Sequence, residues 1–138
     1  MRSRAGAGAA VVALLLCLTG CGPAVTVPGS VCLPAPLRVS PVPAAAGDSL
    51  VVSSGPADCD LGYGPHQTYR VKLVAPHVSS PSVSVEPASD GHFSVELPVP
   101  AGFPRGDAFV VVTGSPFDQC DDTMTGSCAG YAATIRIR

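Results

Sequence analysis

Thr68-Tyr69-Arg70-Val71-Lys72-Leu73-Val74-Ala75 is the stretch that decides the fold. Tyr69, Val71 and Leu73 fall on one side of an extended chain, and Arg70 and Lys72 fall on the other. That period of two belongs to a strand with one face buried. The same rhythm recurs on both sides of it. Upstream, Leu37-Arg38-Val39 ends at Ser40-Pro41, and Ser49 to Ser53 is entered through Ala46-Gly47-Asp48. Downstream, Val83 and Val85 lie between Pro81 and Pro87, as expected of a short edge strand. After the turn Ser89-Asp90-Gly91, Phe93, Val95 and Leu97 alternate with Ser94 and Glu96. Ala108 to Thr113 is almost wholly apolar and predicts a central strand buried on both faces. Tyr131, Ala133, Ile135 and Ile137 alternate with Thr134, Arg136 and Arg138. The 15 prolines, spread from Pro23 to Pro116, leave no room for a long helix in this part. Seven short strands at this spacing predict an all-β, antiparallel two-sheet sandwich over residues 32–138.

The first residues follow different rules. Arg2 and Arg4 are the only charges before Arg38, and Ala5 to Leu18 is apolar or small. A positive start, a short apolar stretch and then small residues is the layout of an export signal. The apolar stretch, which includes Cys17, falls short of the roughly 20 residues that a membrane-spanning helix needs. Residues 1–20 are therefore expected to be a signal helix. Leu18-Thr19-Gly20-Cys21 stands where the apolar run stops, and it resembles the lipobox of bacterial lipoproteins. That resemblance implies a diacylglycerol on the Cys21 thiol and cleavage just before it. It also implies a lipid-anchored position on the extracytoplasmic face of the cell membrane. Residues 21–31 contain Gly, Pro and Ser without charge, and read as a lipidated tether.

Beyond residue 20 the chain carries six Lys/Arg and ten Asp/Glu, a net charge of −4. Lys72 is its only lysine. There is no basic run, so nucleic-acid binding is not expected. An anionic bilayer is expected to repel a domain of this net charge weakly. With Cys21 assigned to lipid, Cys32, Cys59, Cys120 and Cys128 remain, an even set that implies two disulfides outside the cytoplasm. Three pairings are possible. Cys120–Cys128 with Cys32–Cys59 is favoured; loop closure gives about 2.5 kcal/mol for the first bond and about 3.5 kcal/mol for the second. No Cys-x-x-Cys spacing suggests zinc.

The strand order resembles the immunoglobulin-like sandwiches in architecture, although their buried Trp and inter-sheet disulfide pattern are absent. Val39-Ser40-Pro41, Gly47 to Gly55, Gly91-His92-Phe93 and Cys120…Cys128 are also similar to the neocarzinostatin group of secreted sandwiches. That likeness would imply a cleft for a small apolar molecule.

Catalytic signals are sparse. Gly47-Asp48-Ser49-Leu50 spells the motif of the GDSL hydrolases, in which the serine is the nucleophile. The Asp-x-x-His that supplies their base does not occur in this chain. The plainer reading is a bend at Gly47-Asp48 that leads Leu50 into the core. His66, His77 and His92 each lie beside Pro or Gly, and no two share metal-ligand spacing. A blue-copper site needs a histidine after Cys120, and none follows. Asp118, Asp121 and Asp122 are the weak candidates for a cation, without the spacing of a calcium loop. Phe103, Phe117, Tyr63 and Tyr131 are expected to plug the core ends rather than anchor a ligand. No cofactor is expected. The sequence thus predicts a non-enzymatic envelope module that binds an envelope protein, a cell-wall polymer or a small ligand. The alternatives are a structural spacer and, more remotely, an ester hydrolase using Ser49.

Overall fold

A computed structural model of the chain describes residues 31–119 and 130–138. The expected signal helix, Cys21, Asp121, Asp122, Cys120 and Cys128 lie outside these residues. Eight strands form: β1 (Leu37–Ser40), β2 (Ser49–Ser54), β3 (Tyr69–Ala75), β4 (Val78–Ser79), β5 (Val83–Val85), β6 (Phe93–Pro98), β7 (Gly106–Thr113) and β8 (Ala132–Ile137). All their pairings are antiparallel. One sheet has the order β1-β2-β6; in the other, β3, β7 and β8 are consecutive and both β4 and β5 pair with β3. This is the expected two-sheet sandwich with an immunoglobulin-like strand order.

Alternation places the core. Tyr69, Val71 and Leu73 of β3 are completely buried, and so are Leu50 and Val52 of β2 and Leu97 of β6. Ala108, Val110 and Val112 of β7 and Ile135 and Ile137 of β8 extend the wall begun by β3 and face β2 and β6. Each of the buried Val, Leu and Ile side chains contributes about 1.5–3 kcal/mol by leaving water.

Two expectations change. First, seven strand signals become eight strands because the edge beside β3 is split. β4 pairs at Val74↔Ser79, while β5 pairs at Val71↔Val83, so the second register is shifted by one residue. The extra residue is a β-bulge at Pro81-Ser82. Ser80 bridges the gap. Its N–H donates to the Leu73 carbonyl (2.9 Å), and its Oγ accepts the Leu73 N–H (2.9 Å). A two-residue strand has no periodicity of its own and exists only through this register. Second, β7 is central but buries one face only. Phe109 is 46% exposed and Val111 is half-buried, because among the described residues no layer covers the outer side of this sheet.

The free edge of β8 is closed in part by the segment that follows β1. Ala44, completely buried, donates its N–H to the Arg136 carbonyl (3.1 Å) and accepts from the Arg138 N–H (2.9 Å). It thereby forms a parallel bridge to Ile137. Covering an edge in this way withholds it from pairing with another chain.

Candidate functional site

The register brings several connections to one end of the sandwich. Leu37 pairs with Ser54, and Ser54 with Phe93. Tyr69 pairs with Val85, and Arg70 with Thr113. The segment before β1, the loop 55–68, the loop 86–92 and both flanks of the β7–β8 connection therefore share this end. Several links hold them. The disulfide Cys32–Cys59 joins the first two, with 5.8 Å between Cα atoms. The Ala57 N–H donates to the Asp90 carbonyl (2.8 Å). The Gln67 side-chain amide donates to the Gly114 carbonyl.

An aromatic cluster underlies this end. Tyr69 meets Tyr63, Phe93 and Tyr131 edge to face, at centroid distances of 6.0, 5.2 and 6.1 Å. Phe117 stacks on Tyr131 at 5.2 Å. Such contacts add to the gain from burial itself. The Tyr63 and Tyr69 hydroxyls hydrogen-bond each other, and the Tyr131 hydroxyl donates to the Ala35 carbonyl (2.7 Å). Tyr131 and Phe103 are buried, and Tyr63 and Phe117 pack against the core, so all four serve as plugs.

Burial pushes the phenol pKa of all three tyrosines upward. For Tyr69, the Tyr63 hydroxyl adds to that effect. For Tyr63, burial outweighs the hydrogen bond, which acts the other way. A raised folded-state pKa means that the neutral phenols stabilise the fold fully below the unfolded value of 10.0. That contribution is lost as pH rises beyond it. In an alkaline absorbance titration, the phenolate signal is therefore expected to appear together with unfolding. A tyrosine that titrates near pH 10 while the fold persists would contradict this packing.

Between the loop 55–68 and the turn after β7 lies an open cleft of about 160 Å³, lined by Leu61, Gly62, Tyr63, Gln67, Gly114, Ser115, Pro116 and Gln119. Pockets that enclose a small molecule usually hold about 300–1,000 Å³. This one has room for a side chain or a short polar group. Its far wall is a short 3-10 helix, Pro116–Gln119. Asp118 holds that wall in place: its carboxylate accepts the Gly114 N–H at 2.5 Å, and its own N–H donates to the Ser115 carbonyl at 3.0 Å.

Tyr63 and the Asp118 turn thus meet at the cleft, whereas His66 does not line it. His66 holds a left-handed backbone position (φ 66°), and its carbonyl accepts the Thr68 hydroxyl (3.1 Å). His77 takes a similar conformation (φ 65°) in the hairpin between β3 and β4. His92 pairs with Asp90 (2.7 Å), and the His92 N–H and ring hold the Asp90 carboxyl below the usual carboxylate range. Among the described residues, no group of three or more His, Cys, Asp and Glu side chains is placed to hold a metal.

Ser49 opens β2 at the opposite end, where it pairs with Pro98. Asp48 makes the bend before it: its carboxylate accepts the Ala45 N–H (2.7 Å), and Gly47 has φ 89°. Leu50 then enters the core completely buried. Sequence reasoning did not single out Gln67, Gly114, Ser115 or Gln119. Gly114-Ser115-Pro116 is legible as a turn, but the loop it faces is set by the pairing of β3 with β7, which is non-local.

The fold and this end define the class: a disulfide-tied, immunoglobulin-like sandwich with a small polar cleft between two loops. No protein-family model, curated protein or solved structure was found to match the chain.

Proposed function

We propose that this chain is a lipoprotein of the bacterial envelope, anchored through acyl chains on Cys21. Its sandwich is a non-enzymatic binding module. The observation that carries the binding role is the end just described, where the loop 55–68 and the turn after β7 enclose the cleft. The Cys21 reading rests on Leu18-Thr19-Gly20-Cys21 at the end of the apolar run. Two or three acyl chains give lasting anchorage, because each buried CH₂ contributes about 0.8 kcal/mol.

The neocarzinostatin likeness points to a small apolar ligand. The size of the cleft and the Gln67, Ser115 and Gln119 side chains on its walls favour a polar segment of an envelope protein or cell-wall polymer instead.

Metabolic labelling with a fatty acid is expected to mark the full-length protein, and the label is expected to vanish in Cys21→Ala. Persistent label in that variant refutes the anchor. The binding role is tested by cross-linking the full-length protein in intact envelopes. Gln119→Arg places a bulky charge at the cleft, and is expected to abolish the adduct formed by the unaltered protein. An unchanged adduct, or none with either protein, refutes the cleft as a binding site.

A further inference from the structure

The outer face of the five-stranded sheet is unlike the rest of the surface. On β7, Phe109 and Val111 face outward, with Phe109 46% exposed. They sit between β3 and β8, whose outward residues include Arg70 and Lys72 on one side and Arg136 on the other. Adjacent strands are about 4.8 Å apart; Lys72 lies directly opposite Val111, Phe109 has Val74 and Thr134 at its sides, and Arg136 is the one cation on the β8 side of the apolar pair. Arg136 pairs with Asp107 at 2.6 Å, and Asp107 is the only acid among the outward-facing residues of β3, β7 and β8. This face carries a charge of +2, while the remainder of the chain beyond residue 20 carries −6. The outer face of the other sheet shows no such segregation: Val51 lies opposite Glu96, among serines, with Arg38 on β1.

We propose that this face docks on an anionic lipid bilayer. Phe109 enters the headgroup region, and Arg70, Lys72 and Arg136 engage lipid phosphates through side chains whose aliphatic stems can lie along the apolar column. The net charge of −4 predicts weak repulsion from such a surface. The sheet register reverses that locally by gathering three of the six cations onto one flat face. An apolar face with diffuse positive charge matches a fluid anionic surface better than it matches a second copy, because two such faces brought together would repel. The inference draws on the Cys21 anchor for one thing only. A tether of residues 21–31 keeps the domain within roughly 20 Å of the bilayer, so a weak contact is enough.

Lys72 is the only lysine in the chain, which makes the face readable. The full-length lipoprotein is reconstituted on vesicles of phosphatidylcholine alone or mixed with phosphatidylglycerol. It is then treated with an uncharged, water-soluble amine reagent, and modified peptides are quantified by mass spectrometry. A Glu96→Lys variant supplies a reference amine on the opposite outer face. Relative to that reference, Lys72 is expected to react roughly fivefold more slowly on the anionic vesicles than on the neutral ones. Raising salt from about 0.1 M to about 1 M shortens the screening length from about 10 Å to about 3 Å, and should abolish the protection. Phe109→Ser and Arg70→Gln should each weaken it, while leaving the buried side of the sheet intact. An equal ratio on both vesicles overturns the inference. So does protection of Lys72 in solution without lipid, which would mean that another copy covers the face. Failure to attach to neutral vesicles would instead indict the Cys21 anchor, and the comparison on anionic vesicles would still judge the face.

Discussion

Gly114→Ala is expected to destabilise the fold by about 3 kcal/mol or more, which in a domain of this size lowers the melting temperature by roughly 15 °C. Two effects act together. Gly114 has φ +94°, a conformation that side-chain-bearing residues rarely adopt. A Cβ there would also collide with the Thr68 carbonyl oxygen. That neighbour is backbone, so no change of rotamer relieves the clash. The loop 55–68 would have to move away from the end of β7. Movement would loosen the Gln67 contact to the Gly114 carbonyl and the Asp118 contact to the Gly114 N–H. Gly91→Ala is the control. Gly91 also has positive φ (+83°), but its Cβ would meet the tip of Leu61, Cδ1 at 2.5 Å, and that side chain can turn aside. About 1–2 kcal/mol is expected there. Thermal and urea denaturation under non-reducing conditions compare the two. If Gly114→Ala costs no more than Gly91→Ala, the close approach of the Thr68 backbone is not what requires glycine. Because Gly114 also lines the cleft, Gly114→Ala should alter binding at that end even where the core survives.

The parts of this fold that were legible in the sequence are those written in local alternation. Tyr69-Arg70-Val71-Lys72-Leu73 and Phe93-Ser94-Val95-Glu96-Leu97 each announce a strand without reference to anything distant. The bend at Gly47-Asp48 was legible for the same reason, since its chemistry is contained within a few residues. The split edge was not legible. Val78-Ser79 carries no pattern, and its pairing depends on a register set across β3. The one-sided burial of β7 is not legible either, because an apolar run reports affinity for a covered surface and not the number of layers present. Phe109 is the residue where that difference shows, and it is also the centre of the face proposed to meet the bilayer. The cleft is the least legible feature. In the sequence Tyr63 stands out for its ring, and Asp118 as a weak candidate for a cation. The structure uses the Asp118 carboxylate to hold a turn, and Gln67 comes to Gly114 across 47 positions. Long-range register has no local signature.

Replacing Cys32 and Cys59 together with serine is expected to cost about 3.5 kcal/mol, because the bond spans 27 positions and removes loop-closure entropy from the unfolded chain. The double replacement is the cleaner test, since a single one leaves a free thiol able to exchange with Cys120 or Cys128. The loss should not fall evenly on the structure. Residues 31–36 belong to no strand. Besides the disulfide they are held by the buried Pro34 and by the Ala35 carbonyl, which accepts the Ser54 hydroxyl (2.8 Å) and the Tyr131 hydroxyl (2.7 Å). Without Cys32–Cys59, hydrogen exchange should rise most in 31–36 and in the loop 55–68, with the amides of β3 and β7 slowest. Reduction of the unaltered protein should reproduce this pattern. Any further fall in stability on reducing the double variant would measure a Cys120–Cys128 bond, for which loop length gives about 2.5 kcal/mol. A melting curve insensitive to the double replacement would show that the bond contributes nothing to the folded state. The position of the bond matters as much as its energy. A pull on the proposed Cys21 anchor reaches the sandwich first at Cys32, and the disulfide passes it to Cys59 in a loop that also supplies the cleft. Cutting that link should therefore weaken stability and the geometry of the binding end together, whereas a cavity made in the distant core, as by Leu50→Ala, should weaken stability alone.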